Sequence, residues 1–379
     1  MGEYRTILQE YREMEINIMQ DFNEKFKEMK YKPFTRQQMI DCIEGRGAPR
    51  PGVAIGTWIH LDLLSKDKQE VLKELFKKYP EDMQEFYVKK PSVFGEPGDK
   101  YTWCDVENAD PSIGRTTTVG VDEETAISWE VYDQISKDVP DIEEPDMFCH
   151  APEPDGRYSL AWLSGGPWTR IWTYRGMTNS MMDLYMNPQR VHDINRRVIR
   201  FFKAAAKRGV KEAGIDAIGF GDDLGMQKGP FMSKEMFREF YFPYYKELCD
   251  YAHSLGLHVW MHCCGDAMLL IDQLIEAGID VLHPIQKYAL DEKKVVDTFG
   301  DQLSFWVGMD LQRILPFGTK EDVVKETQFL IDTFYTKEKG RTIFTVNNRL
   351  EDNVPIENVV AFIEEAYRYG TLKGAEKNE

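Results

Sequence analysis

Gly256-Leu-His-Val-Trp-Met-His-Cys-Cys-Gly265 is the stretch from which the fold can be read. Leu257 to Met261 is a short apolar run between glycines, the pattern of a buried strand whose side chains alternate between faces. On that pattern His262 and Cys264 point one way and Cys263 the other. Helical patterns flank it, with Pro243 to Leu255 stopping at Gly256 and Ala267 to Ala277 stopping at Gly278. The pair therefore stands at the C-terminal end of a strand between helices, where α/β folds assemble their sites. Imidazole and thiolate are both zinc ligands, and catalytic zinc keeps three protein ligands and an open position. Spacing alone equally allows a buried thiol and a hydrogen-bonded histidine that only cap the strand.

Outward from this stretch the chain repeats itself. Glu212-Ala-Gly-Ile-Asp-Ala-Ile218 returns as Glu276-Ala-Gly-Ile-Asp-Val-Leu282, each a helix end, a glycine stop and a strand start. The copies lie 64 residues apart, two units of the ~30 residues that a helix and a strand need. Tyr158 to Gly166, Leu303 to Asp310 and Thr342 to Asn348 are further strands of the same period. The expected fold is α/β, a (β/α)8 TIM barrel.

Pro51 to His60 is the first strand candidate, with Trp58 and His60 on one face. Asp62 to Tyr79 reads as a helix ending at Pro80. Residues 80–157 break the rhythm with Pro, Gly and Asp, and read as surface insertions with short strands at Tyr101 to Val106 and Thr116 to Val121. Before the barrel, Ile16, Met19, Phe22, Phe26 and Met29 recur at helical spacing. They predict an amphipathic extension over 1–50 that packs on the 51–379 barrel or on a second copy, as in a homodimer. Pro167 to Arg175 is aromatic, so Trp168 and Trp172 either line a ring-binding wall or pack internally. Methionines 177, 181, 182 and 186 read as core filler.

At 379 residues and 42% hydrophobic, the chain can bury one large core. Its 64 acidic against 47 basic residues, a formal charge of -17, argue against nucleic acid or an anionic membrane as partner. No apolar run approaches the ~20 residues of a membrane span, and the N-terminus has no signal-like core, so a cytoplasmic protein is expected. Six cysteines, two of them adjacent, read as reduced thiols rather than a disulfide framework.

Polar groups collect where the strands finish: Asp222 and Asp223, then His283 and Gln286, then Asp310, then Asn347 and Asn348. Asp222 and Asp223 could each serve as metal ligand, general acid/base or substrate anchor. Asp222 is favoured for the pocket, and for Asp223 a cap on the next helix or its loop is an equal reading, since neighbours on a strand point oppositely and the sequence does not fix which faces in. His283 is a second candidate for proton transfer. Trp58, His60, Trp168, Trp172, Gln286, Asp310 and Asn348 are the expected substrate contacts.

With these residues in view, the chain resembles the uroporphyrinogen decarboxylase superfamily over roughly residues 155–370. The resemblance rests on Gly221-Asp-Asp-Leu-Gly225, Met236-Phe-Arg-Glu-Phe240, His262-Cys-Cys-Gly265, Leu274 to Gln286, Leu315-Pro-Phe-Gly318 and Val354-Pro-Ile-Glu-Asn-Val359. That superfamily joins tetrapyrrole decarboxylases to corrinoid-linked methyltransferases. The decarboxylase branch carries arginines on its first strand to hold the porphyrinogen carboxylates, whereas Val53-Ala-Ile-Gly-Thr-Trp-Ile-His60 contains none. The methyltransferase branch is similar at His262 and Cys264, which the resemblance makes zinc ligands. Its thiol-methylating members take a third ligand, a cysteine, where this chain has Asn348. An amide is a weak zinc ligand, so a third ligand is expected elsewhere, Asp222 or Glu351. The resemblance implies a methyltransferase that moves a methyl group from a small donor, such as an aryl methyl ether, to the cobalt of a separate corrinoid protein. A decarboxylase of a small or tetrapyrrole carboxylate is the alternative.

Overall fold

The structure, a computed structural model, describes residues 30–95, 98–105, 126–148 and 155–375. The expected helix carrying Ile16 to Met29 and the strand Thr116 to Val121 lie outside the described residues.

Eight parallel strands form the barrel: β1 Gly52–Val53, β2 Met83–Tyr87, β3 Tyr158–Gly165, β4 Ala217–Gly221, β5 His258–His262, β6 Val281–His283, β7 Ser304–Gly308 and β8 Thr342–Thr345. Their hydrogen-bonded order, β1-β8-β7-β6-β5-β4-β3-β2, is the expected (β/α)8 arrangement. Between β1 and β2 one residue closes the seam. The Asp82 backbone N–H donates to Val53 O at 2.8 Å, and the Val53 N–H donates back to the Asp82 carboxylate at 2.7 Å. Arg50 holds the same buried carboxylate at 2.6 and 2.8 Å.

The repeated Glu-Ala-Gly-Ile-Asp segments do what their sequence predicts. Gly214 and Gly278 end their helices in the left-handed region, at φ 62 and 106, and the chain then enters β4 and β6. Inside the barrel, Trp260 and Trp306 meet edge to face, with ring centroids 5.1 Å apart. Gly219 makes room for Trp162, since a Cβ there would stand 2.3 Å from the indole.

The helix Arg36–Glu44, opened by a Thr35/Gln38 capping box, seals the N-terminal end of the barrel. Ser304 Oγ donates to Ile43 O at 2.6 Å, Arg341 N to Cys42 O at 2.8 Å, and Arg36 pairs with Asp216 at 2.5 Å. Those partners sit at strand starts, which leaves the strand ends as the open mouth.

Three local expectations change. β1 is only Gly52–Val53, and the chain then turns through 3-10 helices at Gly56–Trp58 and Leu61–Leu63, so no pleat sets the direction of Trp58 and His60. Tyr101 to Cys104 makes single bridges, Ser92 with Thr102 and Cys104 with Ser136, rather than a strand. Met182 and Met186 are 47% and 71% exposed, because at about 3.6 residues per turn they fall on the side of Pro167–Met186 away from Met177 and Met181, which pack on the core. No helix among the described residues is long and apolar enough to cross a membrane.

Candidate metal centre

His262 ends β5, and its register partners are Gly221 on β4 and His283 on β6. The parallel ladder continues one step, with Asp222 N donating to His262 O and Cys263 N to His283 O. Side chains alternate along each strand, so Asp223 falls beside Cys264 on the side of the mouth, while Asp222 and Cys263 turn toward the helices.

Three donors of different kinds converge there. Cys264 Sγ lies 3.2 Å from His262 Nε2, and Asp223 Oδ1 lies 3.6 Å from the same nitrogen. All three ligand atoms fall within 4.8 Å of one another. Zn²⁺ bonds of 2.0–2.3 Å in tetrahedral array put ligand atoms roughly 3.3–3.8 Å apart, close to the two separations from His262 Nε2, so the N, S and O donors are of the kind and spacing that could hold such an ion. The Asp223 side chain is 48% exposed, which opens the cluster to the mouth. The Cys264 backbone N–H also donates to Asp223 Oδ1 at 2.8 Å, fixing the carboxylate.

The surroundings prepare the ligands. His262 Nδ1 faces His283 Nδ1 at 2.7 Å. One of the two must donate, and donation by His262 leaves its Nε2 lone pair facing Cys264 and Asp223. Burial holds both imidazoles below their usual range, His283 well below it, which favours the neutral form that a ligand and its support need. Burial pushes the Cys264 thiol up to about 12, Asp223 adds to the rise, and the Asn348 amide opposes it from 3.7 Å. A bound cation would reverse that balance and favour thiolate. Trp58 closes the inner side, stacked on His283 at 4.9 Å and tilted over His262 at 5.0 Å.

Asp222, expected in the pocket, is not there. Its buried carboxylate accepts from Trp168 N at 3.0 Å, Thr169 N at 2.6 Å, Thr169 Oγ1 at 2.7 Å and the Tyr245 hydroxyl. It thus caps the helix Pro167–Met186, whose first N–H groups lack intrahelical partners. Burial lifts it to about 6. Glu351 is exposed and paired with Arg349, so the third donor is Asp223 rather than either residue expected from sequence. Trp168 is fully buried against Phe231 and Tyr241, and Trp172 packs partly buried on the core. His283 supports His262 from behind.

Gln286, Asp310 and Asn348 do come together, lining a cavity of about 210 Å³ with Cys264, Lys287 and Asn347. Gln286 Oε1 accepts from Gly265 N at 2.8 Å and steadies the Cys264 loop. Asp310 accepts from the backbone of Gln312, Arg313 and Ile314 and so caps the next helix. His60 and Trp58 share a second cleft with Glu85, Lys90 and Trp162. Glu85, Lys90 and Trp162 were not read from the sequence, because nothing local to them carries a motif.

The fold and this cluster define a TIM-barrel enzyme with its polar groups at the C-terminal mouth. The model of the uroporphyrinogen decarboxylase (URO-D) family matches residues 151–369, more than half of the chain. The chain belongs to that family. Among solved structures, a methyltransferase from Methanosarcina mazei is similar at 15% identity and a TM-score of 0.56, over 89% of this chain and 99% of that one. That likeness is one of fold. A D-psicose 3-epimerase from Clostridium cellulolyticum H10 aligns at 11% identity and a TM-score of 0.39, over 84% of this chain and 96% of that one. A search of curated proteins returns no match.

Proposed function

We propose that this enzyme takes a methyl group from a small O-methyl donor, with aryl methyl ethers the leading class, and delivers it to the cobalt of a corrinoid carried by a separate protein. The observation that carries the reading is the convergence of His262 Nε2, Cys264 Sγ and Asp223 Oδ1 at the barrel mouth. Membership of the family and a fold shared with a methyltransferase support it. An ether oxygen is a poor leaving group unless its developing charge is neutralised, and zinc, if held by these three residues, would supply a Lewis acid for that purpose.

The chain's own groups do the positioning. His283 sets the tautomer of His262, Asn348 donates to the Cys264 sulfur, and Gln286 holds the loop that carries it. Trp58 packs over both imidazoles and also lines the cleft beside them. The corrinoid protein docks over the mouth, the 51–379 barrel is the catalytic unit, and the 1–50 segment serves it as a packing extension. The five described cysteines are all free, which suits a reducing, cytoplasmic setting.

The test is demethylation of methoxylated aromatics, methanol and methylamines, with a reduced corrinoid protein of verified activity as acceptor and zinc content measured in parallel. Methyl transfer lost with the zinc in His262→Ala supports the reading. An active metal-free protein that releases CO₂ from a carboxylate would replace it with the decarboxylase alternative.

A further inference from the structure

Beside the candidate metal centre lies an open-mouthed cleft of about 80 Å³, lined by Thr57, Trp58, His60, Glu85, Lys90 and Trp162 among others. That is well below the ~300–1,000 Å³ of drug-sized ligand sites, so it suits one small molecule. Trp58 and Trp162 meet edge to face with centroids 5.6 Å apart, so one indole offers a flat face beside the edge of another. Trp58 is also the wall shared with the metal centre, 5.0 Å from the His262 ring. The polar groups stand on the β1 and β2 side: Glu85 on β2, Lys90 just beyond it, and Thr57 and His60 after β1.

Resting on the methyl-transfer reading, we propose that this cleft binds a single planar aromatic ring bearing oxygen substituents, held against Trp58 and Trp162 and hydrogen-bonded by the Glu85 carboxyl and Lys90. Ring-stacking walls select a flat ligand over methanol or a methylamine. At about 80 Å³ the cleft is far too small for a tetrapyrrole. Glu85 suits an ether or phenol oxygen because it keeps its proton. Burial pushes it up to about 8, Glu81 adds to the rise, and Lys90 opposes it. His60 is the other titratable group of the lining. A neutral carboxyl donates to an ether oxygen, which has no hydrogen of its own to give the carboxylate form. Binding of methoxybenzene through this bond therefore holds below about pH 8 and weakens above it, whereas the hydroxyl of 2-methoxyphenol can donate to the carboxylate.

The experiment is equilibrium binding of 2-methoxyphenol, methoxybenzene, methanol and trimethylamine, followed by tryptophan fluorescence and calorimetry on the full chain without any corrinoid protein. The expected result is saturable binding of the two aromatics only, weakened about tenfold in Glu85→Ala and in Trp162→Phe. Glu85→Gln keeps a donor, so it retains affinity and loses the fall in methoxybenzene binding above pH 8. Thermal unfolding of each variant identifies any that fail to fold, and Glu85→Gln carries the test if the others do. Aromatic affinity unchanged in Glu85→Ala and Trp162→Phe, a pH dependence of methoxybenzene binding that persists in Glu85→Gln, or no aromatic binding by the native protein would overturn the proposal. Ring binding at this cleft without methyl transfer to any corrinoid protein upholds the cleft and removes the methyltransferase reading.

Discussion

Nδ1 of His262 lies 2.7 Å from Nδ1 of His283, its register partner on the neighbouring strand. The contact places a buried imidazole directly behind His262 Nε2, the nitrogen that faces Cys264 and Asp223, where it can orient the ring without joining the cluster. Replacing His283 with Phe should therefore lower zinc affinity about 10–100-fold while every ligand atom remains. Competition with a chromogenic chelator measures it, and unchanged affinity would show that the pair is only packing.

Asp222 and Asp223 are neighbours with separable roles. Asp223→Ala removes a ligand, so it should cost more zinc affinity than the His283 change while leaving the unfolding curve nearly unmoved. Asp222→Ala strips the cap from Pro167–Met186 and orphans Thr169 N, Trp168 N and two hydroxyls. It should destabilise the fold by about 3 kcal/mol. Urea unfolding and metal titration on both variants would reveal an exchange of these roles.

Asp82 holds the barrel seam from a fully buried position, with Arg50, Val53 N and Phe34 N as donors. Asp82→Ala leaves Arg50 buried and unpaired, a change that typically costs about 3–5 kcal/mol. The midpoint of urea unfolding should fall accordingly. A loss under 1 kcal/mol would mean that β1 and β2 are held by packing rather than by this carboxylate.

Glu81 gives a pH dependence of stability. Burial raises it from 4.5 to about 7, against the pull of the Gly56 N–H. An acid raised on folding binds more protons in the native state between those values, so its ionisation costs stability as pH climbs through that window. Glu81→Gln keeps an acceptor for Gly56 without the charge. Its melting temperature relative to the native protein should rise between pH 5 and pH 8, and a constant difference would exclude Glu81 as the source.

Much of the fold was legible in local pattern. The repeated helix-end, glycine and strand-start segments, and the period they set, rest on backbone rules that act within about ten residues. The same is true of the parity that puts His262 and Cys264 together and Cys263 apart. Trp168 was ambiguous for the same reason: an aromatic stretch on a helix start reads alike whether it faces a pocket or, as here, Phe231 and Tyr241.

The choice between Asp222 and Asp223 needed more than parity. Alternation says that the two point oppositely, but which one faces the mouth depends on how β4 registers against β5. That register aligns Gly221 with His262 and hence Asp223 with Cys264. The sequence by itself determined the barrel and the shared facing of His262 and Cys264, because each is written in short-range spacing, and its motifs carried the resemblance to the family. Only the tertiary structure decided the third donor, the His283 support and the Glu85 cleft. Each joins residues from different strands, and what brings those strands into register is the closure of the whole sheet.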